Sequence, residues 1–228
     1  MLSEIIDFIF PRISLISDKR IESGNKYGEY LNDEDLISIP KVTYDDLSEL
    51  NDKLIADISF SHFSFAEGDE FSKIIYQLKY GGMKKLGIYL GEIIGHELQI
   101  ILETNNITDF DYIIPVPLYK TKLRERGFNQ SEYICMGIVQ YLNSELVPDM
   151  IIRVRHTTTQ TKLSREERIS NLKNAFTINK DYKDIISGKR IIIVDDVVTT
   201  GSTMNEAIKV LKENNSSEVM ACTLAMAR

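Results

Sequence analysis

The sequence predicts an α/β fold with a mainly parallel sheet flanked by helices, and three observations carry that prediction. Strand-like apolar runs alternate with amphipathic helix-like runs along the later part of the 228 residues. One run, Ile191-Ile192-Ile193-Val194, holds four consecutive branched apolar residues after Gly188 and two cations, the pattern of a parallel-sheet strand buried on both faces. That run ends in Asp195 and Asp196, and in open α/β sheets ligands bind beyond the carboxyl ends of strands.

The elements follow in order. Residues 2–10 are a short apolar stretch stopped by Pro11, the size of one or two helical turns. Between residues 18 and 57 there are eleven carboxylates against five Lys or Arg, with few periodic apolar positions, which predicts a small polar appendage. Within it, Leu47, Leu50, Leu54, Ile55 and Ile58 predict a helix over 45–58. Ser alternates with aromatics over 59–65, predicting a strand with Phe60 on one apolar face. Asp69 is a candidate cap for a helix through Phe71, Ile74, Ile75 and Leu78, ended by Gly81 and Gly82, with Lys79 and Tyr80 in its last turn. A second helix over 84–102 presents Leu86, Leu90, Ile93, Ile94, Leu98 and Ile101 to a sheet. Its His96-Glu97 pair lacks the second histidine of a zinc-protease helix, so no metal site is expected there.

A buried strand over 111–116 leads into Pro115-Val116-Pro117, which stiffen its exit. Lys120, Lys122, Arg124 and Arg126 then place four cations within seven residues, followed by Gly127-Phe128-Asn129-Gln130. This stretch reads either as a site that attracts a diphosphate or as a solvated basic turn before a helix over 129–142. Strands near 151 and 191, a helix from 204 and a strand over 218–226 complete the parallel sheet. The division expected is an N-terminal appendage or hood over 1–66 and an α/β domain over 67–228.

Composition narrows the function. With 27 basic against 34 acidic residues the formal net charge is −7, which argues against wholesale electrostatic binding of nucleic acid. No apolar run approaches a transmembrane length, and Glu4 and Asp7 interrupt the first apolar stretch, so neither membrane insertion nor export is expected. The two cysteines, Cys135 and Cys222, read as core thiols of a cytoplasmic protein.

Asp195 and Asp196 are followed by Thr199, Thr200, Gly201, Ser202 and Thr203, and then by an amphipathic run over 204–212. Gly201 permits a tight turn, while the hydroxyls and the unpaired amides at the start of a helix make an anion cradle at the positive end of its dipole. Carboxylates accept hydrogen bonds from vicinal hydroxyls, so the stretch can hold both ends of one ribose 5-phosphate. It is not a P-loop, because no Gly-x-x-x-x-Gly-Lys-Ser/Thr occurs. The plain alternative is an acidic strand end before an ordinary capped helix.

Residues 191–203 resemble the phosphoribosyl-pyrophosphate (PRPP) signature of type I phosphoribosyltransferases. Together with Leu78-Lys79-Tyr80-Gly81-Gly82, Pro115-Val116-Pro117-Leu118, Arg124-Glu125-Arg126-Gly127-Phe128-Asn129-Gln130, residues 153–161, Arg168 and Asn171, they are similar to the ComF family (competence protein F and GntX-like proteins). The resemblance covers about residues 70–228. It implies a type I phosphoribosyltransferase-like, Rossmann-like fold, a cytoplasmic setting and a link to competence and DNA uptake or to gluconate use.

It also implies roles. Asp195 and Asp196 would hold the ribose hydroxyls and Mg²⁺, directly or indirectly, and serve catalysis. Thr199, Thr200, Gly201, Ser202 and Thr203 would bind the 5-phosphate. Pro115, Val116, Pro117, Arg124, Arg126, Arg155, Gln160 and Lys79 would form the pyrophosphate loop and a lid over 155–164. Arg168 and Asn171 would lie on a helix over 164–174, where surface and capping roles explain them equally; Lys79 has a reading as a helix-end cation. The expected partners are PRPP and a nucleobase or other nitrogen acceptor bound by the hood. A PRPP- or nucleotide-sensing module without turnover, acting through a DNA-uptake partner, is the second reading. Single-strand DNA binding through the basic segments is the third.

The chain departs from the family at its N-terminus. Relatives commonly carry two Cys-x-x-Cys pairs for a structural zinc. At those spacings this sequence has Ser14 and Ser17, then Asn32 and Asp35, so no zinc is expected.

Overall fold

The computed structural model describes residues 11–21, 30–66, 68–155 and 174–228. The apolar stretch 2–10, Gln160, Arg168, Asn171 and nearly all of the expected lid and the helix over 164–174 lie outside the described residues. Among the described residues the α-helices are α1 (Asp33–Ser38), α2 (Tyr44–Lys53), α3 (Phe71–Tyr80), α4 (Lys84–Thr104), α5 (Lys120–Arg126), α6 (Gln130–Ile138) and α7 (Ser202–Glu213). The strands are β1 (Ile58–Phe65), β2 (Tyr112–Pro115), β3 (Glu145–Leu146), β4 (Ile151–Arg153), β5 (Phe176–Ile178), β6 (Arg190–Val198) and β7 (Glu218–Ala227).

Five strands form one sheet in the order β1-β7-β6-β2-β3, every neighbouring pair parallel. The central strand β6 carries the branched run read from the sequence, and its side chains alternate between two cores. Ile192 and Val194 join the α4 and α6 side, while Ile191, Ile193 and Val198 join the α7 side. Burial on both faces is what lets β6 be apolar without interruption until its acidic end.

The strand expected near 151 is a correction. It forms, but as an antiparallel ribbon with β5, outside the parallel sheet. The sheet edge beside β2 is taken instead by the two residues of β3, held by Ile113↔Leu146 pairing and the bond from Val147 N–H to Ile113 O (2.9–3.0 Å bonds flank this edge). Two residues are too few to leave a period-2 signal.

Helix boundaries shift for local reasons. Asp69 does not cap α3; its carboxylate accepts from Ala66 N–H instead (2.7 Å). The helix expected over 45–58 runs Tyr44–Lys53, opened by a reciprocal capping box between Thr43 and Asp46. Leu54, the next residue, is already extended and enters the α7-side core. The basic stretch after Pro117 is the helix α5 rather than an irregular turn, and Gly127 at φ 77 ends it.

Helices α4 and α6 approach closely because Gly87, Gly91 and Gly95 face α6 across from Gly137. A Cβ on Gly91 would lie 2.1 Å from Ile134 O, and one on Gly137 would lie 2.1 Å from Ile88 O.

The strand β1 precedes residue 66 yet is hydrogen-bonded into the main sheet. Both its faces are buried, not one, and the N-terminal segment also covers its free edge. Val42 N–H donates to His62 O (3.1 Å), and Ser64 N–H donates to Pro40 O (2.8 Å). Glu97 on α4 accepts from His62 Nδ1, and that contact holds its carboxyl below the ordinary value against the opposing effect of burial. Cys135 and Cys222 are buried free thiols whose burial raises both above the ordinary thiol value. Among the described residues no helix is long and apolar enough to cross a membrane.

Candidate functional site

The chain leaves β2 toward β3 on one side and leaves β6 toward β7 on the other, so the order reverses between β2 and β6. Ladder pairing between these strands stops at Pro115↔Val194. The crevice that opens there is the switch point at which parallel α/β sheets bind ligands. Asp195 and Asp196 are the next two residues of β6, and Val116-Pro117 lie across from them. Val116 N–H is fixed to Val194 O (2.8 Å), and Asn129 Nδ2 donates to Val116 O (3.1 Å), so the Pro115-Val116-Pro117 exit is held rigidly beside the acidic pair.

The two carboxylates differ in environment. Asp196 is buried, and its Oδ2 accepts from Gln130 Nε2 (3.0 Å) and pairs with Lys79 Nζ (3.0 Å), while its Oδ1 accepts from Val197 N–H (2.7 Å). Asp195 Oδ1 accepts from Ser131 Oγ (3.0 Å) and from Asp196 N–H (2.9 Å). Asp195 Oδ2 makes no hydrogen bond among the described residues. Burial first, and then the Asp196 carboxylate, push the Asp195 carboxyl up to about 7; the Asp196 N–H, Lys79 and Ser131 only partly oppose this. The site therefore stores unfavourable negative charge that a bound cation or cationic transition state would relieve.

A small polar cleft lined by Asp195 and residues 197–204 adjoins the pair. Gly201 takes φ 73, which places the turn at the N-terminus of the twelve-residue α7. The first intrahelical bond is Asn205 N–H to Gly201 O (2.8 Å), so the amides of Ser202, Thr203 and Met204 have no acceptor within the helix. Thr200 Oγ1 and Ser202 Oγ lie 3.0 Å apart on the same turn. The five residues read from sequence as a phosphate cradle thus form the turn before α7 and its first two residues, with amide donors that no intrahelical acceptor takes.

That loop is anchored to the N-terminal region. Asn205 Oδ1 accepts from Ile55 N–H (2.9 Å) and its Nδ2 donates to Lys53 O (2.7 Å). Gly201 sits so close to Leu54 that a Cβ would approach its Cδ2 to 2.8 Å.

Cations gather from three other elements. Lys79 comes from the end of α3, Lys122 and Arg126 from α5, and Arg153 from the end of β4. Arg126 lies over the Tyr80 ring (5.2 Å to the centroid), and its Nη1 is buried without a hydrogen-bond partner among the described residues. Arg153 lies over Phe176 (5.3 Å). Burial lowers the Lys122 ammonium, and Arg126, Arg153 and Lys79 lower it further; burial likewise lowers Arg153, while Asp195 attracts it. These shifts record one cluster of like charge beside the acidic pair. Lys79 and Arg126 stand in this group, whereas Arg124 and Arg155 are exposed.

Sequence reasoning passed over Ser131, and it named Lys122, Gln130 and Arg153 only within the basic stretches and family motifs, without an individual role at the site. Asn129-Gln130-Ser131 had a usable signal, a polar triplet opening a helix just after Gly127-Phe128. Arg153 carried none, because only the ribbon brings it near β6.

The phosphoribosyl transferase domain family matches residues 131–228, the part that carries β6, the cradle and β7. The DNA utilization protein YhgH of Shigella flexneri is 35% identical over 153 residues, 67% of this chain and 66% of that protein. Competence protein F of Haemophilus influenzae is 40% identical over 115 residues, 50% of each chain. The chain thus spans a little under two thirds of the first relative and half of the second. Among solved structures, glutamine PRPP amidotransferase from B. subtilis aligns with 65% of this chain and 30% of its own at 16% identity and a TM-score of 0.41.

The parallel sheet and the matched domain define a type I phosphoribosyltransferase fold. Within that class the chain belongs to the ComF family, whose resemblance its sequence motifs carry.

Proposed function

We propose that the protein binds PRPP with Mg²⁺ in the β2–β6 crevice and transfers its phosphoribosyl group to a nitrogen nucleophile, with a nucleobase the first class to test. The observation that carries this reading is the convergence of a charge-strained acidic pair, an anion cradle and four cations on one sheet crevice. The cradle amides and hydroxyls take the 5-phosphate. Lys79, Lys122, Arg126 and Arg153 offset charge on the diphosphate as it leaves, and Asp195 and Asp196 stabilise the positive charge that develops on the ribose ring. Lys79, already on Asp196, couples the two ends of the site.

The donor set fits Mg²⁺. Asp195 supplies a hard oxygen, Oδ2, free of hydrogen bonds among the described residues, and Mg²⁺ is usually held by one or two carboxylates plus waters and substrate phosphates. Asp195, with Asp196 behind it, would hold the ion, which supplies charge neutralisation for the diphosphate. Calorimetry with PRPP, with and without Mg²⁺, tests the reading on wild type and on Asp195→Asn/Asp196→Asn. Metal-dependent binding lost in the double variant supports it; no binding by folded wild type refutes it.

A second reading, a PRPP- or nucleotide-binding partner protein in DNA uptake without turnover, is favoured by relatives whose names concern DNA utilization and competence. Pyrophosphate release with a panel of nucleobases separates the two, since binding without release favours the partner role. Salt titration with a labelled oligonucleotide tests direct binding to DNA.

A further inference from the structure

The four positions at which the family resemblance implies zinc cysteines are brought together in space, although they come from two separate stretches of chain. Ser14 and Asp35 are buried, and Ser17 and Asn32 are half-buried beside them. Ser14 Oγ and Ser17 Oγ both donate to the same Asp35 Oδ2, the second at 2.6 Å. Asn32 Nδ2 donates to Ser17 Oγ (3.3 Å), and Asn32 Oδ1 accepts from Asp35 N–H (2.8 Å), capping α1. The turn through Ser14 and Ser17 is closed by Ser14 N–H to Lys19 O (2.9 Å), Asp18 N–H to Ser14 O (3.2 Å) and a left-handed Asp18 at φ 57.

This donor set does not fit zinc. It offers two neutral hydroxyls, one carboxamide and one carboxylate, with no thiolate or imidazole, and among the described residues no group of three His, Cys, Asp or Glu could hold a metal. The single carboxylate oxygen is already the acceptor for two hydroxyls, so the centre of the cluster is filled by hydrogen bonds.

We propose that Ser14, Ser17, Asn32 and Asp35 form a metal-free staple, in which one buried carboxylate replaces the ion of a tetrahedral metal site and closes the N-terminal region by charge-assisted hydrogen bonds. Its neighbours Ile16, Leu31, Leu36 and Ile39 lie in the main core. The same region continues into α2, whose end abuts Gly201 and Asn205 of the phosphate loop. Closure of the region around the site then depends neither on zinc supply nor on thiol redox state, because the only cysteines are Cys135 and Cys222 in the core.

Three measurements on the full chain test this. Purified protein should contain less than about a tenth of an equivalent of zinc and keep its melting temperature in chelator; a full equivalent would overturn the proposal. The variant Ser14→Cys/Ser17→Cys/Asn32→Cys/Asp35→Cys should bind one Co²⁺ per chain with the absorption of a tetrahedral thiolate site. A folded variant that takes up no cobalt refutes the convergence. Should that variant fail to fold, Asp35→Ala decides by hydrogen exchange. Amides of 14–18 and 35–39 should lose at least about tenfold protection while β6 and β7 keep theirs, and unchanged protection would sink the idea.

Discussion

Replacing Asp195 by Asn should make the protein more stable at neutral and alkaline pH while abolishing PRPP binding. The amide is isosteric with the carboxylate, and its Oδ1 can still accept from Ser131 Oγ and Asp196 N–H. What it removes is a negative charge that burial and Asp196 oppose, seen in the rise of the Asp195 carboxyl from 3.8 to about 7. Each unit corresponds to about 1.4 kcal/mol, so the ceiling is roughly 4 kcal/mol. Relaxation and the partial exposure of Asp195 reduce the expectation to about 1–3 kcal/mol, or about 3–8 °C in melting temperature for a chain of this size. The sign follows from linkage: between about pH 4 and pH 7 the folded chain keeps a proton that the unfolded chain has released, so wild-type stability falls as pH rises through that interval. Above about pH 7 the full penalty is present, and the advantage of Asp195→Asn is greatest. It should shrink steadily as pH falls toward the unfolded value of 3.8, below which wild type carries the proton in both states. Urea denaturation at pH 8, 6 and 4.5 reads this directly. A variant no more stable than wild type at pH 8, or one with a pH-independent advantage, would refute the electrostatic account of the site.

Two further perturbations probe the frame around that pair. Lys79→Met leaves Asp196 buried without its cation, and should cost about 3 kcal/mol in denaturation and at least about tenfold in PRPP affinity, read by calorimetry. Gly137→Ala drives a methyl group against Ile88 O on the facing helix and should cost about 3 kcal/mol in urea denaturation, with PRPP affinity per folded molecule retained.

The legible parts of the sequence were those whose cause is local. Four branched residues that alternate between two cores, a Gly that must take φ 73 and an amphipathic helix with free first amides are all specified within residues 190–213. Elements whose form depends on distant neighbours were read less well. Leu54 has the spacing of a helical residue but leaves α2 for the α7-side core, and β4 has the composition of a sheet strand but pairs only with β5. Lys79 reads as an end-of-helix cation, yet α3 delivers it onto Asp196 across 117 positions of sequence.

By itself the sequence determined the parallel α/β class, the strand that ends in Asp195 and Asp196, and the loop of Thr199, Thr200, Gly201, Ser202 and Thr203 that follows. These depend on backbone propensity, burial pattern and hydrogen-bonding rules that act over a few adjacent residues. Only the tertiary structure decided which groups surround that loop: Gln130 and Ser131 on the carboxylates, Lys122 and Arg153 among the cations, and Ser14, Ser17, Asn32 and Asp35 around one oxygen. Side-chain chemistry is written in the residue types, but charge strain and hydrogen-bond partnership act over a few ångströms. Those distances are fixed only when the helices and strands that carry the residues pack.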